Sequence, residues 1–279
     1  MENAMPHRSA SERPGAGAQD DDARREVIAW LGSAAAYPAL SAGQRAEGVR
    51  RYETHGALVF AAGDDVYKIK RAVRFPYLDF STLELRERVI RREFEINKPN
   101  APELYLGVVA VTRGDDGQLQ LGGCGTPVEW ALHMRRFRDA DLLSAVAARG
   151  GIDRALALRI ADAVAAAHER AEVIEGQDGG AGLAQVLEQV IAGLAAERDA
   201  LDAATVGRFG EVSRAALAGV TPLLDRRAAE GCVRRCHGDL HLGNIVPWGG
   251  APLLFDALEF DDRLASVDTL YDVAFLLMD

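Results

Sequence analysis

Asp239, Asn244 and Asp256 are the residues of this 279-residue chain whose types and spacing could do chemistry. They lie in His237-Gly238-Asp239-Leu240-His241-Leu242-Gly243-Asn244 and in Phe255-Asp256. Together they supply a carboxylate, then an amide, then a second carboxylate. Phosphoryl transfer from a nucleoside triphosphate needs such a set. One carboxylate accepts the proton of an attacking hydroxyl, while an amide oxygen and the other carboxylate hold Mg²⁺ against the phosphates. Other chemistries share these residue types. His237, Asp239 and His241 could be three ligands of one metal in a hydrolase. Cys232, Cys236, His237 and His241 could be read as a zinc cluster, although three residues rather than two separate the cysteines.

The string H-G-D-L-H-x-G-N resembles the catalytic loop of the aminoglycoside phosphotransferase family, the small-molecule branch of the kinase-like fold. Its Asp-to-Asn spacing is that of the protein kinase loop H-R-D-x-x-x-x-N. Phe255-Asp256-Ala257 resembles the family's metal-binding strand end. The resemblance covers roughly residues 50–279 and implies ATP or GTP with Mg²⁺ as cofactors, and a hydroxyl of a small molecule as acceptor. It makes Asp239 the base and Asn244 and Asp256 the metal ligands, with Glu259, Asp261 and Asp262 as nearby rivals. His237 and Asp272 would support the loop, with Asp268 as the alternative brace. Lys68 would bind phosphate, because Val66 then lies over the adenine. The rival choice, Lys70, would put the charged Lys68 there. Glu93 would pair with that lysine, and Glu87 is the fallback. Met134, Arg135 and Arg136 mark the segment whose backbone would hold the adenine.

Thr54-His55-Gly56, Tyr67-Lys68, Asp79-Phe80-Ser81-Thr82 and Leu104-Tyr105-Leu106-Gly107 also resemble a bacterial subgroup in which a P-loop ATP-binding domain often follows. No G-x-x-x-x-G-K-[ST] occurs here, so that domain would be a partner absent from this chain. No G-x-G-x-x-G precedes Lys68 and no A-P-E follows Asp256, which argues against a protein kinase. Two other readings stay open. One is a nucleotide-binding regulatory module without turnover, and the other is a metal-dependent hydrolase.

The elements that must position these residues read as an α+β, protein-kinase-like, two-lobed fold. Residues 1–22 read as a disordered leader, 23–137 as a small antiparallel-sheet N-lobe and 138–279 as a mainly helical C-lobe. A helix should run from Ala23 to about Ala36. An apolar run, Gly56 to Ala62, ends in the turn signal Gly63-Asp64-Asp65, and Val66 to Lys70 then alternates as a strand should. Ser81-Thr82-Leu83-Glu84 predicts a capping box opening a helix that Pro99 stops. Leu104 to Thr112 and Val128 to Met134 read as strands. Ile152, Leu156, Ile160 and Val164 form an i, i+4 stripe. His168, near that stripe, reads as a packed or capping histidine. Helices are expected at about 183–201, 205–230 and from about Val267, and strands at 232–236 and 253–255. The chain stops inside an apolar helical pattern, an ending expected of a C-lobe truncated before the family's further acceptor-binding helices.

Composition narrows the class. Apolar residues make up 48% and charged residues 27%, ordinary values for a globular chain. A net charge of −10 argues against a nucleic-acid partner held through phosphates. No apolar run is long enough to span a bilayer, and three cysteines without framework spacing point to a reducing, cytoplasmic compartment.

Overall fold

The computed structural model describes residues 16–75, 78–176, 179–197 and 200–279. Most of the expected leader, residues 1–15, therefore lies outside the described residues. The first helix, α1 (Ala16–Leu31), opens earlier than the expected Ala23. It is followed by α2 (Ala42–Glu47), β1 (Arg50–Glu53), β2 (Ala57–Ala62), β3 (Asp65–Lys70), β4 (Arg74–Phe75), β5 (Leu78–Asp79) and α3 (Leu83–Asn97). Next come β6 (Tyr105–Arg113), β7 (Leu119–Leu121), β8 (Thr126–Arg135), α4 (Leu143–Ala148), α5 (Arg154–Arg170), α6 (Gly179–Ala196) and α7 (Ala203–Ala229). The chain continues with β9 (Val233–Arg235), β10 (Ile245–Trp248), β11 (Ala251–Leu254), α8 (Asp262–Ala265), β12 (Ser266–Asp268) and α9 (Thr269–Met278). The described residues form two compact units. One comprises residues up to Arg74 with 79–90 and 106–136, and the other comprises 75–78, 91–105 and 137–279. The fold class is α+β.

The first unit is built on a six-stranded sheet of order β1-β2-β3-β8-β6-β7. β1–β2, β2–β3, β3–β8 and β6–β7 pair antiparallel. The β2–β3 hairpin needs Gly63 at its turn, because φ there is 58°, a left-handed conformation that a side chain disfavours. Alternation then sorts the two sheet faces. Leu58, Phe60, Ile69 and Ala131 pack with Val27 and Leu31 of α1 and with Tyr37. Burying each such large apolar side chain stabilises the unit by about 1.5–3 kcal/mol. Val66, Lys68 and Lys70 point to the opposite face.

The sequence expectation had only four strands here. β1 escaped it because all its residues are exposed, so Arg50-Arg51-Tyr52-Glu53 carries no alternation. The capping box also differs. Thr82, not Ser81, caps α3, its Oγ1 accepting the Leu85 N–H at 3.3 Å. Ser81 instead donates its hydroxyl and its backbone N–H to Asp79.

In the second unit the stripe on α5 does what its spacing implies. Leu156, Ile160 and Val164 pack against Leu143, Val146, Leu240, Ile245 and Leu254. Leu240 lies inside the string His237–Asn244, so the helix stripe packs against the floor of that loop. α6 and α7 form an antiparallel pair, with Asp202 capping α7 through the Thr205 N–H. β9 pairs with β12 and β10 with β11, which frames the loop on both sides.

Candidate functional site

The candidate site is the turn between β9 and β10 and the end of β11. Gly238 has φ 82°, and a Cβ there would come within 2.9 Å of the Ala265 side chain. Glycine at 238 thus allows the sharp turn that precedes Asp239. Asp239 is half exposed. Leu240, beside it, is fully buried and anchors the turn. Asn244 Nδ2 donates to the Asp239 backbone carbonyl at 2.9 Å and to Asp239 Oδ2 at 3.2 Å. That orientation leaves Asn244 Oδ1 as the atom able to face a cation.

Asp256 is brought next to Asn244 by the β10–β11 hairpin. Ile245 pairs with Leu254, and the Phe255 N–H donates to the Asn244 carbonyl at 3.0 Å. Asp256 has φ 62° and is the only non-glycine residue at positive φ among the described residues. Positive φ is uncommon for a residue other than glycine, although aspartate adopts it more readily than most. Two buried side chains hold it. The Asp256 N–H donates to Tyr105 Oη at 2.9 Å, and the Ala257 N–H donates to Asn97 Oδ1 at 2.8 Å. Neither Tyr105 nor Asn97 stood out in the sequence as a site residue, because both work only through backbone groups far away in the chain.

His237 and Asp272 support the loop from below. The Asp272 carboxylate, 1% exposed, accepts the His237 N–H at Oδ2 and the Gly238 N–H at Oδ1, both at 2.9 Å. Burial alone would raise its pKa, but the hydrogen bond from His168, the His237 ring and the two amides hold it below the ordinary carboxylate value. His237 Nε2 lies 2.9 Å from the Phe255 carbonyl, so the ring donates there. Burial lowers the His237 pKa and favours the neutral ring. Asp268, the alternative brace, instead caps α9 through the Leu270 N–H and pairs with Arg227 at 2.8 Å.

Two of the three rival acids are engaged elsewhere. Asp261 caps α8 and pairs with Arg263, and Asp262 pairs with Arg92 and Arg235. The alternative metal sets do not converge. Among the described residues, three donor atoms come within 4.8 Å of one another at His168, Cys236 and Asp272, not in the Cys232, Cys236, His237, His241 set nor in the His237, Asp239, His241 set. Burial first, with Asp272 and Asp268 adding to it, pushes the Cys236 thiol up to about 12, far from a ready thiolate ligand.

The nucleotide-side candidates lie in the first unit, apart from Glu93. Lys68 pairs with Leu132 and Val66 with Met134, so Val66, Lys68, Lys70 and Met134 share the sheet face opposite α1. Lys68 is partly buried, whereas Lys70 is 3% exposed with its Nζ 5.5 Å over the Phe80 ring. Met134 is buried and Arg135 exposed. Arg136 donates from its side chain to the Gly63 carbonyl at 3.0 Å and from its backbone to Asp64, which ties it to the β2–β3 turn. Glu93, in the second unit, is fully buried on α3, and Asn97 Nδ2 donates to its carbonyl one turn later.

No family model matches the chain. An uncharacterized protein of Mycobacterium tuberculosis strain H37Rv is 33% identical over 231 residues, which is 81% of this chain and 45% of that protein. An uncharacterized protein of Mycobacterium bovis matches with the same figures. The chain thus spans less than half the length of the curated relatives it matches. Among solved structures, a choline/ethanolamine kinase family protein from Mesorhizobium loti is 19% identical with a TM-score of 0.44, over 91% of this chain and 69% of that one. The site rests on its own geometry. Among the described residues, no helix is long and apolar enough to cross a membrane.

Proposed function

We propose that this chain is a kinase-like phosphotransferase that moves the γ-phosphoryl group of ATP, or GTP, to a hydroxyl of a small molecule. The supporting observation is that the Asn244 side chain is bonded to Asp239 while the Asn244 carbonyl is bonded to the N–H of Phe255, the residue before Asp256. Half-exposed Asp239 can reach an incoming hydroxyl, orient it and take its proton late in the transfer. Asn244 and Asp256 offer an amide oxygen and a carboxylate, the hard oxygen donors that Mg²⁺ prefers. Mg²⁺ held there would supply charge neutralisation to the phosphates. Asn244 has its amide nitrogen committed to Asp239, so its oxygen is the atom left to bind. Tyr105 and Asn97 hold the peptide groups around Asp256, which fixes the backbone that carries its carboxylate.

Lys68 is the phosphate-binding lysine expected from the sequence. The deeper burial of Lys70 beside Phe80 makes it an equal candidate. Lys68→Ala and Lys70→Ala, compared for nucleotide affinity, decide between them.

The test of the function is ADP release from MgATP, with a panel of hydroxylated metabolites and aminoglycosides as acceptors. The parent should release ADP in an acceptor-dependent way, and chelating the divalent ion should stop it. Asp239→Ala should lower turnover by about 10²–10⁴-fold, the usual worth of a general base. Nucleotide affinity without any difference in turnover between parent and variant would instead indicate a regulatory nucleotide-binding module.

A further inference from the structure

A cavity of about 250 Å³ opens in the first unit, on the sheet face that packs against α1. Tyr67, which lines it, alternates along β3 with Val66 and Lys68. The cavity therefore lies across the sheet from the phosphate-binding candidates. Its most buried lining residues are Ala36 and Ala62, whose small side chains leave the space open. Leu40 and Leu121 add aliphatic wall. The Tyr37 and Tyr67 rings, with centroids 5.3 Å apart, add an aromatic one. Tyr37 is fixed by donating its hydroxyl to the Leu31 carbonyl at 2.8 Å, and the His133 ring stacks on Tyr67 at 4.6 Å.

The polar end of the cavity is acidic. Asp64 and Asp65 line it, and none of the described lining residues is basic. Gln44 Nε2 donates to Asp64 Oδ2 at 3.3 Å, and His133 Nε2 lies 2.8 Å from Asp65 Oδ1. Among the described residues, the other oxygen of each carboxylate and Tyr67 Oη have no hydrogen-bond partner. Burial, with Asp65 adding to it, pushes the Tyr67 phenol up to about 12, so it stays neutral. Two arginines on neighbouring segments are turned to backbone carbonyls instead. Arg45 donates to those of Ala34, Pro38 and Leu40, and Arg136 to that of Gly63.

These walls select one kind of ligand. Two carboxylates attract a cation, a phenol oxygen accepts an N–H, and an aromatic ring favours a positive charge over a neutral group. The aliphatic wall needs an apolar body. The volume is below the roughly 300–1,000 Å³ of pockets for drug-sized molecules, which limits that body to a few carbon atoms. We propose that this cavity is a binding site for a small alkylammonium ion. The ammonium sits at Asp64, Asp65 and Tyr67, and the hydrocarbon chain lies against Leu40, Leu121 and the two alanines. The site does not depend on the phosphotransferase reading, and its test needs no nucleotide.

The probe is n-butylammonium, titrated into the full chain at pH 8, where imidazole is neutral and an alkylamine is charged. The NMR ring signals of Tyr37 and Tyr67 should shift saturably. n-Butanol has the same shape without the charge, and butyrate has the opposite charge. Both should bind at least about fivefold more weakly, the usual worth of a cation beside an exposed ring. The double variant Asp64→Asn, Asp65→Asn keeps the shape of the wall and removes its charge. It should weaken n-butylammonium by about fivefold and leave n-butanol unchanged. Added NaCl should weaken n-butylammonium in the parent and have little effect in the double variant.

Equal binding of the three probes would overturn the inference, because the cavity would then be merely apolar. So would n-butylammonium binding that the double variant retains, or the absence of a saturable shift at Tyr37 and Tyr67. Should the double variant fail to fold, Asp64→Asn alone, at an exposed position, decides the same question together with the salt dependence of the parent.

Discussion

Asp256 shows how much can rest on one residue. Its φ of 62° costs an ordinary side chain about 1–2 kcal/mol, and glycine would relieve that cost while losing about 0.5–1 kcal/mol of chain entropy. Asp256→Gly should therefore fold with unchanged or slightly raised stability, by up to about 1 kcal/mol in urea denaturation, and lose Mg²⁺-dependent ADP release. A clear drop in stability would instead make the carboxylate a structural group. The sequence made Asp256 visible because it follows Leu253-Leu254-Phe255 at a strand end. It did not reveal the strained backbone, which depends on Tyr105 and Asn97 holding the flanking N–H groups from more than a hundred residues away.

Elements carry a second kind of dependence. In the first unit, Glu129 on β8 is fully buried and accepts from Arg86 Nε of α3 at 2.9 and 3.0 Å, with Arg24 of α1 at 3.3 Å. Those three elements are pinned at one carboxylate. Removing a single partner leaves a buried charge uncompensated, so Glu129→Ala should cost about 3–5 kcal/mol. Replacing Arg86 and Glu129 together by leucine should cost less than that single change. Denaturation midpoints of the variants check both. None of this was legible in the sequence, where Arg86 and Glu129 are ordinary surface residue types. The strands β2, β3, β6 and β8 were legible, since alternation and apolar runs follow directly from burial on a pleated sheet. The cap of α3 was misplaced by one residue because Asp79, rather than Glu84, accepts the Ser81 N–H, and the Ser81 hydroxyl donates to Asp79 as well.

For the whole molecule, pH is the simplest probe of how the loop is held. His237 is buried, and its folded pKa lies below the ordinary value of 6.5. The unfolded chain therefore binds a proton there before the folded one does. Stability from this group is complete above about pH 6.5 and falls as pH drops through that value toward the folded pKa. Asp272 adds a second loss at lower pH. Its folded pKa lies below 3.8, so its contribution is present above that value and disappears as pH falls past the folded one. Thermal midpoints followed from pH 7.5 downward should decline through the first window in the parent, and His237→Gln should flatten that part of the decline. An identical slope in the variant would remove His237 as its source.

The linear order of residues was enough to pick out Asp239, Asn244 and Asp256, the shared face of Val66, Lys68 and Lys70, and the stripe on α5. Each of these follows from local spacing, and local spacing survives in any fold the chain adopts. The family resemblance had favoured Asp272 over Asp268 as the brace, but only tertiary structure showed Asp272 holding the loop's amides while Asp268 caps a helix, and His168 reaching Asp272 across 104 positions. Those roles belong to hydrogen bonds between distant segments. Such bonds exist only after folding has brought the buried donors and acceptors together and left them no water to pair with.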